Sequence, residues 1–229
     1  MALLGSCTSV EIATATAGSE PTPLTLLLPL GSTEQHGPHL PLDTDTRIAQ
    51  AVADGIALRL DSVRVAPAIS ITASDEHRGF AGTLTVGTRV LSEMLIEIVG
   101  NAGPEFDRIV AVNGHGGNAY ALRSATEVCK ARGQALEVWS MRLPGGDAHA
   151  GRTETSLMLA IAPDLVRLDL AEAGALEPLD ELLPRMIEGG VRSVSANGIL
   201  GDPSGANPAE GTRLLAGLID DAVNQITSS

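Results

Sequence analysis

Glu34, His36, His39, Asp43 and Asp45 lie in one short segment, residues 31–45, which reads GSTEQHGPHLPLDTD. Imidazole and carboxylate are the donors that hydrolytic sites use for Zn, Mn or Fe. Glu34 and His36 are separated by one residue, so an extended backbone would point both side chains the same way. Asp45 follows at the start of the next element. A single Glu or His in a loop is ordinarily solvated or capping, but the three together favour a metal site. His39 lies between prolines and reads as a brace or supporting residue rather than a ligand. Asp43 reads as a helix cap.

Three further segments carry the same residue types. Ser74, Asp75, Glu76 and His77 form one. Asn113-Gly-His-Gly-Gly-Asn118 places His115 in a glycine-rich turn with Gly116, Gly117 and Asn118. Such a turn can simply tighten a strand-to-helix connection or cradle a phosphate. Its spacing matches no nucleotide fingerprint, however, and no Lys follows, so a ligand at a strand tip is the better reading. The last segment carries Asp147, His149 and Glu154. Glu154 falls in the first turn of an expected helix, where it serves either as a ligand or as a complement to the helix dipole. All five histidines thus sit in glycine-rich or turn-like segments.

The elements between these segments would position them. Residues 24–30 (LTLLLPL) form a continuous apolar run, as in a strand buried on both faces. Ile48, Val52, Ile56 and Leu60 recur every four residues and mark a helix entered through Asp43 and Thr44. Residues 64–71, 108–112 and 135–141 read as three more strands. Helices are expected over 90–99, from 119 to 133, over 153–161 and near 179–187. Residues 164–201 are less patterned and leave room for an edge strand. Asn207-Pro-Ala-Glu210 has the form of a capping box with Pro at the first helical position, and Leu214, Leu215, Leu218, Ile219, Val223 and Ile226 continue that helix. Alternating strands and helices predict one α/β domain with a mostly parallel sheet. In such sheets ligands bind at the carboxyl ends of the strands, so the polar segments should meet at one rim.

Composition sets the bounds. The chain has 229 residues, 44% of them hydrophobic, which suits one full core. A net charge of −13 and 2% aromatic residues argue against nucleic acid and membrane surfaces as partners. Cys7 and Cys129 form no metal or redox motif, as expected of a reduced, cytoplasmic protein. No apolar run reaches membrane-span length and the start lacks a signal-peptide pattern. Residues 1–23 read as an N-terminal segment, partly loose, and 24–229 as the domain.

Taken together, LPLGSTEQHGPHLPLDTDT, SDEHRGFAGTLT, VNGHGGN, HAGRTETS and the closing GDPSGANPAEG resemble the creatininase family over nearly the whole chain from Leu24 onward. The resemblance implies a single three-layer α/β/α domain, a centre of two divalent ions (Zn, Fe or Mn), amide hydrolysis and a homo-oligomer, commonly a hexamer. It implies Glu34 and His115 on one ion, His36 on the other and Asp45 bridging. Creatinine-cleaving members carry Tyr-Glu after the motif histidine, and that Glu is a ligand. Here Gly116-Gly117 stands there, so Glu154 becomes the expected remaining ligand, or a base for water. His149, oriented by Asp147, is the expected acid for the departing nitrogen. Ser74, Glu76, His77, His39, Gly116, Gly117 and Asn118 are expected in the pocket wall or behind the ligands. Within the family, residues 31–49 are most similar to peptidases that cut a modified precursor peptide near its C-terminus, releasing a cross-linked Val-Tyr end. The alternatives are a formamide deformylase of flavin or deazaflavin synthesis, a creatininase proper, or a metal-binding protein without turnover. A deformylase substrate carries phosphate, and only Arg78 and Arg152 lie beside the motifs.

Overall fold

A computed structural model describes residues 3–17, 24–142 and 145–228. In chain order the elements are α1 (Ser9–Ala15), β1 (Leu24–Leu30), α2 (Thr44–Ala57), β2 (Val63–Val65), α3 (Gly87–Gly100), β3 (Phe106–Asn113), α4 (Ala119–Ala131), β4 (Leu136–Ser140), α5 (Arg152–Ile161), α6 (Leu179–Gly189) and α7 (Pro208–Ser228). The four strands form one sheet in the order β2-β1-β3-β4, and every pairing is parallel.

β1 is buried along its whole length because it has a strand on each side and helices on both faces. Its side chains alternate between two cores, as a period of two requires. Leu27 packs with Val110 and Val112 of β3, Ile48, Val52 and Ile56 of α2, Leu157 and Met158 of α5, and Leu218 of α7. Leu26, Leu28 and Leu30 pack on the opposite face with Ile109 and Ala111 of β3, Leu91 and Leu95 of α3, and Leu122 and Ala125 of α4. The result is the expected three-layer α/β/α sandwich. The four-residue spacing of Ile48, Val52 and Ile56 places all three against the sheet with no exposure.

Several local expectations are corrected. The second strand is Val63–Val65 rather than 64–71. The register slips after Ala66, whose N–H donates to the Leu27 carbonyl, because the next donor to β1 is Ile69 to the Pro29 carbonyl, three residues on against two. Contact resumes only as a bridge between Ile69 and Leu30. Among the described residues no strand lies in 164–201; Leu200 makes a single bridge to His149. Asp43 holds the position before α2 but makes no capping hydrogen bond. Its carboxylate instead accepts from Arg47 Nε at 2.8 Å, while Thr44 Oγ1 donates to the Pro41 carbonyl. The α7 box is half-formed. Asn207 Oδ1 accepts from Glu210 N–H at 2.9 Å, but the Glu210 carboxylate turns to Arg152 Nε at 2.8 Å and Ser156 Oγ at 3.2 Å. Glu210 thus ties α7 to α5 instead of closing its own helix start.

The described part of the N-terminal segment is structured. Leu3 bridges Val65, and Thr8 and Glu11 close a capping box on α1. Residues 18–23 lie outside the described residues. Cys7 and Cys129 are free thiols. No described helix is long and apolar enough to cross a membrane.

Candidate metal centre

Because every strand runs the same way, the loops leaving β1, β2, β3 and β4 open on one rim. Glu34 and His36 stand on the loop after β1, and Asp45 in the first turn of α2. His77 ends a short 3-10 turn beyond β2. His115 follows β3. His149 lies beyond β4, just ahead of Glu154 in the first turn of α5. All seven side chains are buried.

Asp45 is the centre of the cluster. Its Oδ1 lies 3.0 Å from His36 Nε2 and its Oδ2 lies 3.1 Å from His115 Nδ1. Ser32 Oγ donates to Oδ2 at 2.8 Å. Glu34 Oε2 is 3.3 Å from His115 Nε2, and Glu34 Oε1 is 3.3 Å from His77 Nε2. Glu154 Oε2 lies 3.9 Å from His36 Nε2 and accepts the Ala150 N–H at 2.6 Å. Three sets of donors each lie within 4.8 Å of one another: Glu34, Asp45 and His115; His36, Asp45 and Glu154; and Glu34, His36 and His149. Asp45 belongs to two of them.

Burial and crowding shift these groups strongly. Loss of water raises Glu34 to about 7, and Asp45 adds to the effect while His115 opposes it. Burial likewise raises Glu154 to about 7, again reinforced by Asp45. Burial alone would depress His36, but the Asp45 carboxylate overrides it and raises that imidazole to about 10. His115 also rises to about 10 against its burial, through Glu34 and Asp45. Asp45 falls well below the usual carboxylate range despite burial, held by His36 and His115. Carboxylates and imidazoles so arranged hold protons where a cation would otherwise sit.

Gln35 was not anticipated. Its amide Nε2 lies 2.9 Å from His77 Nδ1, 2.9 Å from the Gly198 carbonyl and 3.1 Å from His149 Nε2, and its two hydrogens serve the first two. Its backbone carbonyl lies 2.8 Å from His149 Nε2. His149 therefore donates from Nε2, and its Nδ1 faces the cluster as an acceptor, 3.8 Å from Glu34 Oε1. Burial, with the nearby His36 and His77, holds His149 well below its ordinary range. His77, depressed to about 3 by burial and the His115 charge, keeps its proton on Nε2, toward Glu34.

Asp147 does not orient His149. It is exposed and exchanges hydrogen bonds with Thr153 at the start of α5. The chain turns through Ala150 at φ 53°, a left-handed conformation uncommon for a residue with a side chain. His149 lies inside the cluster, and Asp147 stands at the wall of a cavity of about 320 Å³, which His115, Gly116, Arg142 and Glu154 also line. Arg142 was not singled out by its sequence context.

The remaining expected residues surround the cluster. Ser74 Oγ is 3.5 Å from His115 Nε2, and Glu76 Oε1 is 3.6 Å from the same atom. His39 Nε2 is 2.8 Å from Thr155 Oγ1 and braces the loop against α5. Asn118 spans to Ala73, Gly31 and Asn113. Gly117 lies so close that a Cβ there would overlap Glu76 Oε1 and His115 Nε2. The glycine at that position lets the histidine and its neighbours close up.

A parallel α/β/α sandwich with buried His and carboxylate donors at its strand tips defines a hydrolase scaffold. The family profile described as "Creatininase: Creatinine amidohydrolase" matches residues 6–226, and the chain belongs to the creatininase family. The mycofactocin precursor peptide peptidase of Mycobacterium ulcerans is 47% identical over 225 residues, covering 94% of this chain and 90% of that one. Two solved structures, described as creatininase Mn and as a Zn–Zn type creatininase mutant, each superpose with a TM-score of 0.79 at 24% identity, covering 99% of this chain and 97% of theirs. At that identity they share its fold.

Proposed function

We propose that this chain is a two-metal peptidase that cleaves the modified mycofactocin precursor peptide near its C-terminus, releasing the cross-linked Val-Tyr-derived end. The substrate rests on the peptidase relative just described. One observation carries the two-metal chemistry: the two oxygens of Asp45 face His36 and His115 separately, so one carboxylate serves two donor sets. Glu34 and His115 would complete one site, and His36 and Glu154 the other.

The residues fit such ions. Both carboxylate oxygens of Glu34 are buried without a well-aligned hydrogen bond, with only the His77 and His115 ring nitrogens at 3.3 Å, a setting that a cation would satisfy better. Imidazole and carboxylate donors suit Zn, Mn or Fe. When bound, such ions supply Lewis acidity to the amide carbonyl and lower the pKa of water.

The chain's own groups then handle the protons. His149 Nδ1, unprotonated and turned inward, accepts a proton from the attacking water. Gln35 holds the ring through its other nitrogen and keeps that face presented. As the C–N bond breaks, the Nδ1 proton passes to the departing nitrogen, so His149 serves first as base and then as acid. Glu154, fixed by the Ala150 N–H, stands beside His36. Arg78 and Arg152 are each paired with a carboxylate, Asp75 and Glu210 respectively, at 2.9 and 2.8 Å. Neither is presented as a phosphate clamp; Arg142 is the arginine that lines the cavity, so the deformylase alternative is decided by the cleavage assay and not by the arginines. We place the enzyme in the cytoplasm, where Cys7 and Cys129 would stay reduced, and assign it a homo-oligomeric, hexameric assembly.

The test is cleavage of the modified precursor, followed by mass spectrometry. Protein loaded with Zn, Mn or Fe should release the C-terminal fragment, and chelator-stripped protein should not. His149→Ala should keep its metal and lose cleavage, which separates an enzyme from a metal-binding protein. Absence of the fragment with all three metals would overturn the reading.

A further inference from the structure

The cavity beside His115 and Glu154 is about 320 Å³, near the lower limit for a single small ligand. A peptide reaching the cluster must continue outside it. A groove of about 1100 Å³ adjoins the cavity, and the two share Ala119, Ser140 and Arg142. Its floor is the outer edge of β4, the terminal strand of the sheet. Leu122 and Thr126 of α4 wall one side, and Asp221 and Gln225 of α7 the other.

The backbone of that edge is turned outward at alternate residues. Ile109 N–H donates to the Ala135 carbonyl, and Met141 N–H donates to the Asn113 carbonyl, so the odd-numbered residues of β4 face β3. Leu136, Val138 and Ser140 therefore direct their N–H and C=O groups into the groove. Gln225 Nε2 already donates to the Val138 carbonyl at 3.1 Å, as the N–H of an added strand would. An exposed strand edge is a template for pairing.

We propose that the peptide substrate docks in this groove as a fifth strand, parallel to β4, with the segment ahead of the scissile bond paired to Leu136, Val138 and Ser140. The inference rests on the peptidase reading above and adds the docking surface and the direction of the chain. The direction follows from the fold. β4 runs toward the cavity, so a parallel strand delivers its C-terminal end to the cluster, as cleavage near a C-terminus requires. An antiparallel strand would deliver the opposite end. At about 3.3 Å per residue, the five residues of β4 offer roughly 16 Å of pairing.

The experiment uses wild-type enzyme and modified precursor peptides N-methylated at one residue at a time upstream of the scissile bond. N-methylation removes one backbone donor and leaves the side chains in place. Methylation at alternate residues should raise KM roughly tenfold, with the intervening positions near wild type. A second arm replaces the outward donor of the enzyme by Val138→Pro, since proline is tolerated at an outward-facing edge position. It should lower the long-to-truncated peptide ratio of kcat/KM roughly tenfold. If the peptide is cut with no dependence on methylation, the docking site is overturned and the peptidase reading stands. If no precursor is cut at all, the peptidase reading fails and the docking site with it. If Val138→Pro alters sedimentation and leaves the ratio unchanged, the edge joins copies of the chain and the proposal is overturned.

Discussion

Gly117 shows how closely the cluster is built at the level of single residues. Its missing side chain is what allows His115 Nε2 and Glu76 Oε1 to approach the turn. Gly117→Ala should displace His115 and lower kcat/KM by about 10–100-fold, and because its Cβ would also overlap the Ala73 backbone carbonyl, it should lower Tm as well. Steady-state kinetics beside a melting curve would check this; unchanged kinetics would show that the turn yields freely. The acids and histidines of this site were legible from residue type and spacing, because Glu34 and His36 alternate on an extended loop and Asp45 begins a helix. Gln35 was not legible. An amide between two candidate ligands has no signature of its own, and its role appears only when β2 and β4 bring His77 and His149 beside it. Asp147 misled for the converse reason. It is near His149 in sequence, but its carboxylate accepts from Thr153 N–H at the start of α5 while the His149 ring turns to the Gln35 carbonyl.

At the level of elements, the contact between α5 and α7 decides where Glu154 stands. A Cβ at Gly211 of α7 would overlap the Ser156 carbonyl of α5, so the two helices approach through backbone. Gly211→Ala should force them apart at a cost of about 1–3 kcal/mol, lowering Tm by roughly 2–4 °C per kcal/mol. Calorimetric melting would measure it, and an unchanged Tm would mean that α7 slides without strain. The helices themselves were readable from periodicity, since Ile48, Val52 and Ile56 can only face one way. The pairing of α5 with α7 was not, because Glu210 matches a local capping box equally well. Only the arrival of Arg152 and Ser156 from a distant helix draws its carboxylate away. The second strand is truncated where its register slips, three residues from Ala66 to Ile69 spanning two on β1, and hydrophobicity alone does not show such a slip.

For the whole molecule, metal and proton compete for one set of groups. In the metal-free protein His36 and His115 titrate at about 10, and Glu34 and Glu154 at about 7. At neutral pH both imidazoles are therefore charged, yet ions require them neutral. Because these values are raised, the protons win as pH falls, and metal affinity should climb as pH rises toward 10. Loading at pH 7 should expel at least the two imidazolium protons. Titration calorimetry in two buffers of different ionisation heat would count them; a count of zero would show that both histidines are neutral beforehand. The parallel sheet carries one more consequence. Its strand tips gather donors from the loop after β1 through to the first turn of α5, so no single portion of the chain contains a finished site. A nascent chain still awaiting α5, or one clipped ahead of it, lacks Glu154 and can assemble only part of the cage. On the proposed reading the set of Glu34, Asp45 and His115 precedes α5 in the chain, and only a chain that has reached α5 can complete the second set with His36 and Glu154.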